Sequence, residues 1–129
     1  MKNICLLIAV LILNSCSLNT DHVSSINVKA KVHDEIVLDA FSIKVKSVCD
    51  SRCPEGCMCV WAGEAKVFFT IKEFPTSLDT SLTLPSNPAM IYKNYSIDLK
   101  SVNPYPICNF EFPDDYTIQF LISDIKGKN

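Results

Sequence analysis

Alternation of apolar and polar residues is the feature of this sequence that most restricts its fold. The clearest example lies at 26–32, where Ile26, Val28, Ala30 and Val32 alternate with polar residues. Successive side chains of a β-strand point to opposite faces, so this pattern predicts a strand with one buried face. Similar patterns or short apolar runs predict further strands near 36–38, 41–49, 65–71, 82–84, 95–99 and 116–122. Sustained helical periodicity with caps is not found in any window.

Half-buried strands of this kind must each lay an apolar face against another element. Two antiparallel sheets packed face to face satisfy all of them. We therefore expect an all-β fold, a small antiparallel β-sandwich of about seven strands, with a partly closed β-barrel as the alternative. The chain has 129 residues, of which 48% are hydrophobic and 20% charged, as is typical of one folded domain.

The N-terminus has the pattern of an export signal. Lys2 precedes an apolar run at 4–13, which is about half the length that spans a bilayer. The segment from Leu13 to Cys16 reads Leu-Asn-Ser-Cys and resembles the bacterial lipobox. We expect cleavage before Cys16 and attachment of lipid, including palmitate, to that residue. An ordinary cleaved signal or an uncleaved anchor is the alternative.

Three segments follow from this interpretation: a lipoprotein signal peptide at 1–15, a lipidated cysteine with a polar tether at 16–25, and a single β-domain at 26–129. The expected location is the cell envelope, at the outer membrane of a Gram-negative bacterium, and the membrane is a partner through the lipid on Cys16. Removal of Lys2 changes the formal net charge from −2 to −3. That charge is too small to favour nucleic acid as a partner.

Seven cysteines are many for a chain of this length, and export favours disulfides over thiolates. Five remain after Cys5 and Cys16 are set aside, so one should be free or bonded outside the chain. The spacing of Cys57 and Cys59 is too tight for a usual zinc knuckle, and we expect no bound metal. The five are Cys49, Cys53, Cys57, Cys59 and Cys108.

The cysteine-rich segment carries a resemblance to a known group of proteins. Residues 50–54 read Asp-Ser-Arg-Cys-Pro, and 59–64 read Cys-Val-Trp-Ala-Gly-Glu. This is similar to the signature of small uncharacterised lipoproteins that are frequent in Bacteroidota-type Gram-negative bacteria, and the similarity extends over about 26–125. The resemblance implies a small β-domain with a disulfide between Cys53 and Cys59, and it implies no particular activity. The chain departs from the signature by adding Cys49, Cys57 and Cys108.

The pairing of these extra cysteines is a separate prediction. Cys49 continues the inward parity of its strand, and Cys108 is the only distant cysteine. We therefore expect a second disulfide between Cys49 and Cys108. Cys57 would then be a buried free thiol.

Arg52 and Trp61 are the candidate binding residues. An exposed Trp beside an Arg can stack on a sugar or hold an anion. The alternative, which we favour, is that Trp61 closes the end of the sandwich while Arg52 pairs with Asp50 or Glu64.

Catalytic motifs are not found, and we expect neither catalytic residues nor a cofactor. His22 falls in the tether, and His33 lies beside a turn. Asp114 with Asp115 lacks the dense oxygen spacing of a calcium loop, as does Asp50 with Glu64. Three aromatic residues have two alternative interpretations, an outer apolar patch or a second buried face: Phe68, Phe110 and Phe112.

The expected function is therefore a non-enzymatic, membrane-anchored lipoprotein that binds a protein or glycan partner. The alternative is an inhibitor or immunity-type protein that blocks an enzyme through its disulfide loop. An enzyme that uses a loop thiol or a carboxylate pair ranks third.

Overall fold

The computed structural model describes residues 24–126. The predicted signal peptide, the lipidation at Cys16 and most of the predicted tether lie outside this range. Eight strands form two antiparallel four-stranded sheets, ordered β1-β8-β7-β6 and β2-β3-β4-β5. The strands are β1 Ser25–Lys31, β2 Glu35–Val37, β3 Ser42–Asp50, β4 Ala65–Glu73, β5 Thr76–Leu84, β6 Ala89–Tyr92, β7 Tyr95–Asn103 and β8 Thr117–Asp124. The predicted β-sandwich is confirmed, and the barrel alternative is wrong because the two sheets do not join.

The core lies between the sheets and consists of the residues that alternation places on the inner faces. Ile43, Val67 and Ile118 are completely buried. Phe69 of β4 meets Phe120 of β8 edge-on across the core, with 5.6 Å between ring centroids. Burying one such side chain contributes about 1.5–3 kcal/mol, so this apolar layer holds the two sheets together.

Two elements differ from the sequence-based prediction. β5 begins directly after a two-residue turn at Phe74-Pro75 and continues to Leu84, whereas we expected only a short strand near 82–84. β6 was not predicted. β5 and β6 are the edge strands on one side of the sandwich, and their residues are exposed over much of their length. The sequences of β5 and β6 lack a sustained alternation of apolar and polar residues, so a pattern search gives little signal for either strand.

A β-bulge in β3 reverses the orientation of the residues that follow it. The pairing with β4 shifts by one residue between Val45 and Ser47, and Cys49 then lies opposite Lys66. A shift of one residue moves every later side chain to the other face of the strand. The prediction that Cys49 points inward is therefore wrong, because its side chain is exposed on the outer face.

The sandwich has two ends of different character. The basal pole contains the start of β1 at Ser25, the β4–β5 turn and the β6–β7 turn, and Tyr92 there donates a hydrogen bond to Glu73. The apical pole contains the loops at 51–64 and 104–116. A nine-residue strand is roughly 30 Å long, so these loops lie far from the point where the chain enters the domain.

Candidate interaction surface

The loop at 51–64 begins as an extension of the β3–β4 hairpin. Ser51 N donates to Glu64 O at 2.8 Å, and Cys53 N donates to Ala62 O at 2.8 Å. Gly63 makes this close pairing feasible, since a Cβ there would lie 1.8 Å from Ser51 O. Its φ of +69° also falls in the left-handed region that favours glycine. The glycine of the Trp-Ala-Gly signature is therefore a structural requirement of the loop.

Two disulfides stabilise the apical loops. Cys53 is bonded to Cys59 within the first loop, the pairing that the family resemblance implies. Cys57 is bonded to Cys108, which joins the first loop to the second. The predicted bond between Cys49 and Cys108 is wrong, and so is a free Cys57: the bulge turns Cys49 outward and leaves it free.

Backbone pairing strengthens the connection between the loops. Glu55 forms a parallel β-bridge with Ile107. Glu55 N donates to Pro106 O at 2.8 Å, and Cys108 N donates to Glu55 O at 2.9 Å. The two loops are thus held by main-chain hydrogen bonds as well as by a covalent bond.

A third connection between the loops runs through Arg52, which is ion-paired with Asp50. The Arg52 Nε and Nη2 atoms donate to the two Asp50 carboxylate oxygens at 2.8 and 2.6 Å. Arg52 also donates to the carbonyl of Val102 at 2.8 Å, and its guanidinium lies 4.5 Å from the centroid of the Tyr105 ring. The Asp50 and Arg52 side chains are only 2% and 11% exposed. Arg52 is therefore engaged inside the protein, in the pairing with Asp50 that we favoured, and is not placed to hold a ligand.

The same cluster includes a buried tyrosine. Tyr116 donates a hydrogen bond to Asp50 Oδ2 at 3.1 Å. Burial, together with the charge of Asp50, raises the pKa of Tyr116 to about 12. Burial alone would raise the pKa of Asp50, but the hydrogen bonds and charge of Arg52 outweigh it, and the pKa of Asp50 is lowered. Asp50 is therefore a carboxylate at neutral pH, and its bonds to Arg52 and Tyr116 fix the apical loops to both sheets.

The apical loops carry many of the exposed apolar side chains of the domain. Residues 24–126 contain thirteen exposed large apolar side chains, of which seven lie on these two loops. Met58 is fully exposed, and Trp61 is 82% exposed. We name these seven residues the apical surface: Met58, Val60, Trp61, Tyr105, Ile107, Phe110 and Phe112. Exposed apolar residues clustered in this way mark interaction sites more often than residues scattered singly.

Trp61 does not close the end of the sandwich, so that prediction is wrong. Its side chain is largely exposed, whereas Tyr116 and Pro106, in the segment before β8, are buried. Phe110 and Phe112 are exposed at the apical pole, whereas Phe68 lies on the outer face of β4 with Lys66 Nζ 5.4 Å from its ring centroid. The three phenylalanines therefore form neither one patch nor a second buried face.

The remaining acidic and histidine candidates do not lie together in one site. Asp115 pairs with Lys31, and Glu64 accepts a hydrogen bond from Ser86. His33 lies in the β1–β2 turn with a φ of 76°. Across residues 24–126, no group of three or more His, Cys, Asp or Glu side chains is arranged to hold a metal ion.

Two clefts on the described surface are small. The one between Ile26, Leu38 and Tyr95 has a volume of about 260 Å³, and the one beside Phe68 about 290 Å³. Pockets for small molecules generally have volumes of about 300–1,000 Å³. The apical surface is thus a more favourable candidate for binding than either cleft.

The sequence pointed to Trp61, Phe110 and Phe112, but not to the other four members of the apical surface: Met58, Val60, Tyr105 and Ile107. Ile107 and Met58 each adjoin one cysteine of the Cys57–Cys108 bond, and that pairing was not predicted. The available signal was composition: the two loops are rich in aromatic residues and contain no lysine. Interfaces are enriched in aromatic residues and Met and depleted in Lys.

Comparisons of the chain with protein-family models, curated proteins and solved structures find no match. Within residues 24–126, no helix has the length and apolar character needed to cross a membrane.

Proposed function

We propose that this chain is a non-enzymatic lipoprotein of the bacterial cell envelope that binds a protein partner through its apical surface. The observation that carries the proposal is the group of exposed apolar side chains on two cross-linked loops. Exposing them to water is unfavourable, and covering them with a partner would recover that free energy.

The position of the N-terminus would leave the apical surface accessible to a partner. β1 begins at Ser25 at the basal pole, so a tether running from Cys16 would enter the domain at the end opposite the apical loops. Lipid on Cys16 would hold the basal pole near the membrane. The apical surface would then face away from the bilayer, where a protein can reach it.

Chemistry favours a protein over a glycan as the partner. Met58, Val60 and Ile107 contribute aliphatic and thioether surface beside Trp61. A glycan site combines an aromatic ring with polar groups that bind the sugar hydroxyls. Arg52 is not placed to supply such a group, because its guanidinium is already hydrogen-bonded to Asp50 and Val102. The cross-links also reduce the ordering cost of binding, since the loops are held in place before a partner arrives.

Site-specific photocrosslinking in intact cells tests the proposal. A photoreactive phenylalanine analogue replaces Met58, and in a matched strain it replaces Phe74, which is equally exposed at the basal pole. Position 58 should yield a discrete crosslinked protein, and position 74 should not. Trp61→Ser in the Met58 strain should abolish the product. Equal crosslinking at both positions, or none at position 58, would contradict the proposal.

An inhibitor or immunity-type role is the second candidate. The exposed segment at 58–61 follows Cys57 and contains Cys59, and both cysteines are in disulfides; a segment held in this way can insert into an enzyme cleft. The crosslinked protein separates the two roles. An enzyme whose turnover falls in proportion to its occupancy by the lipoprotein would establish inhibition, and unchanged turnover would favour simple binding.

A further inference from the structure

Charge is distributed unevenly between the apical loops and the rest of the domain. Residues 51–64 and 104–116 contain one arginine and no lysine, whereas nine lysines lie elsewhere in residues 24–126. The same two loops carry five acidic residues: Glu55, Glu64, Glu111, Asp114 and Asp115.

Three of these carboxylates are available to a partner. Asp115 forms an ion pair with Lys31, and Glu64 accepts a hydrogen bond from Ser86. The other three, Glu55, Glu111 and Asp114, are exposed and form no ion pair with any residue in the described range 24–126. The apolar apical surface is therefore accompanied by uncompensated negative charge.

Glu55 has the best-defined position of the three. Its main chain is hydrogen-bonded to Pro106 and Cys108, and it pairs with Ile107 in the β-bridge between the loops. An acidic residue thus stands directly beside a member of the apical surface. Both are on segments that the Cys57–Cys108 bond fixes.

We propose that the partner presents a basic segment to this surface, with Lys or Arg side chains next to an apolar side chain. The inference rests on the proposed function and identifies the partner's chemistry. Two interactions would favour a cationic side chain on the partner. It can form an ion pair with a free carboxylate, and it can stack on the exposed ring of Trp61. Anionic lipid and nucleic acid carry the wrong charge. The apical surface of a second copy of this chain would carry the same carboxylates, and the like charges would repel each other.

Selection from a library of random 12-residue peptides tests this inference on the full chain, purified in detergent. The selected peptides should combine Lys or Arg with an aromatic or aliphatic residue, and their binding should be lost in Trp61→Ser. Replacing their basic residues by Gln should weaken binding about tenfold at 50 mM salt. The difference should shrink at 500 mM salt, where screening is strong.

Charge-neutral variants supply the matched control. The variant Glu55→Gln/Glu111→Gln/Asp114→Asn should lose about tenfold in affinity for the basic peptides. The variant Glu35→Gln/Asp39→Asn/Asp124→Asn removes the same charge from β2 and the basal pole and should bind as wild type. Equal loss in both variants would show attraction by net charge alone and would overturn the inference.

The remaining outcomes separate the inference from the proposed function. Trp61-dependent peptides without an excess of basic residues would overturn the basic partner and leave the binding surface standing. Failure to select any Trp61-dependent peptide would count against both.

Discussion

At the scale of single residues, the Asp50–Arg52 pair connects the first loop to the end of β7. Asp50→Asn would leave the nearly buried Arg52 without a counter-charge. We expect it to lower the free energy of unfolding by about 3 kcal/mol, as is typical when one partner of a buried pair is removed. Urea unfolding measures this. Asp115→Asn breaks the exposed pair with Lys31 and should cost less than about 1 kcal/mol; equal losses would contradict the assignment.

Acidity should weaken the same pair. The pKa of Asp50 is lowered in the folded protein, whereas its unfolded value is about 3.9. The stabilisation is therefore fully present above about pH 4–5 and is lost as pH falls through the folded pKa. Unfolding free energies measured from pH 6 to pH 2 should fall less steeply in Asp50→Asn than in the wild type. Parallel curves would exclude Asp50 as a source of acid sensitivity.

The two glycines of the first loop should respond differently to alanine. A Cβ on Gly63 would overlap Ser51 O, whereas a Cβ on Gly56 would lie 3.7 Å from the Cys108 Cβ, an ordinary contact. Gly56→Ala should therefore cost about 1 kcal/mol for its positive φ alone, and Gly63→Ala at least about 3 kcal/mol. Thermal unfolding of the two variants compares them directly, and a similar cost for both would be evidence against the close pairing.

At the scale of elements, the long-range disulfide should matter more for stability than the local one. The Cys57–Cys108 bond has a sequence separation of 51 residues, and loop-closure entropy assigns such a bond about 4 kcal/mol. The Cys53–Cys59 bond has a separation of six, too short for that relation, and its main effect is on local loop geometry. Cys57→Ser/Cys108→Ser should lower the melting temperature more than Cys53→Ser/Cys59→Ser.

Cys49→Ser is the control for these disulfide variants. Cys49 is free and exposed, so its replacement should leave the melting temperature unchanged. Peptide mapping without reductant reports the connectivity independently. A bond from Cys49 to Cys108 in that map would contradict the arrangement described above.

At the scale of the whole molecule, the binding proposal depends on how the protein is attached. We expect Cys16 to be the mature N-terminus and to carry lipid, which would place the apical surface on the side away from the membrane. Intact mass should show the acylated chain, and Cys16→Ala should remove the acyl mass and release or mislocalise the protein. Recovery of the wild-type protein in soluble form, with a free N-terminus beyond Cys16, would refute this expectation.

The sequence by itself determined the buried face of those strands in which the alternation is sustained and no bulge intervenes. Alternation identified Ile43, Val67 and Ile118 as core residues, and each is completely buried. The reason is local, since a strand's two faces follow from its backbone geometry and the chain must bury its apolar face. The same information predicted two packed sheets, because half-buried strands have few other stable arrangements.

Only the tertiary structure decided the orientation and partners of the apical residues. The bulge after Val45 turned Cys49 outward, and it depends on how β3 pairs with β4. The bond between Cys57 and Cys108 depends on where two loops meet, 51 positions apart in sequence. Trp61 is exposed, whereas Tyr116 and Pro106 of the second loop are buried. Each outcome is set by contacts between distant segments, which a local pattern of residues does not encode.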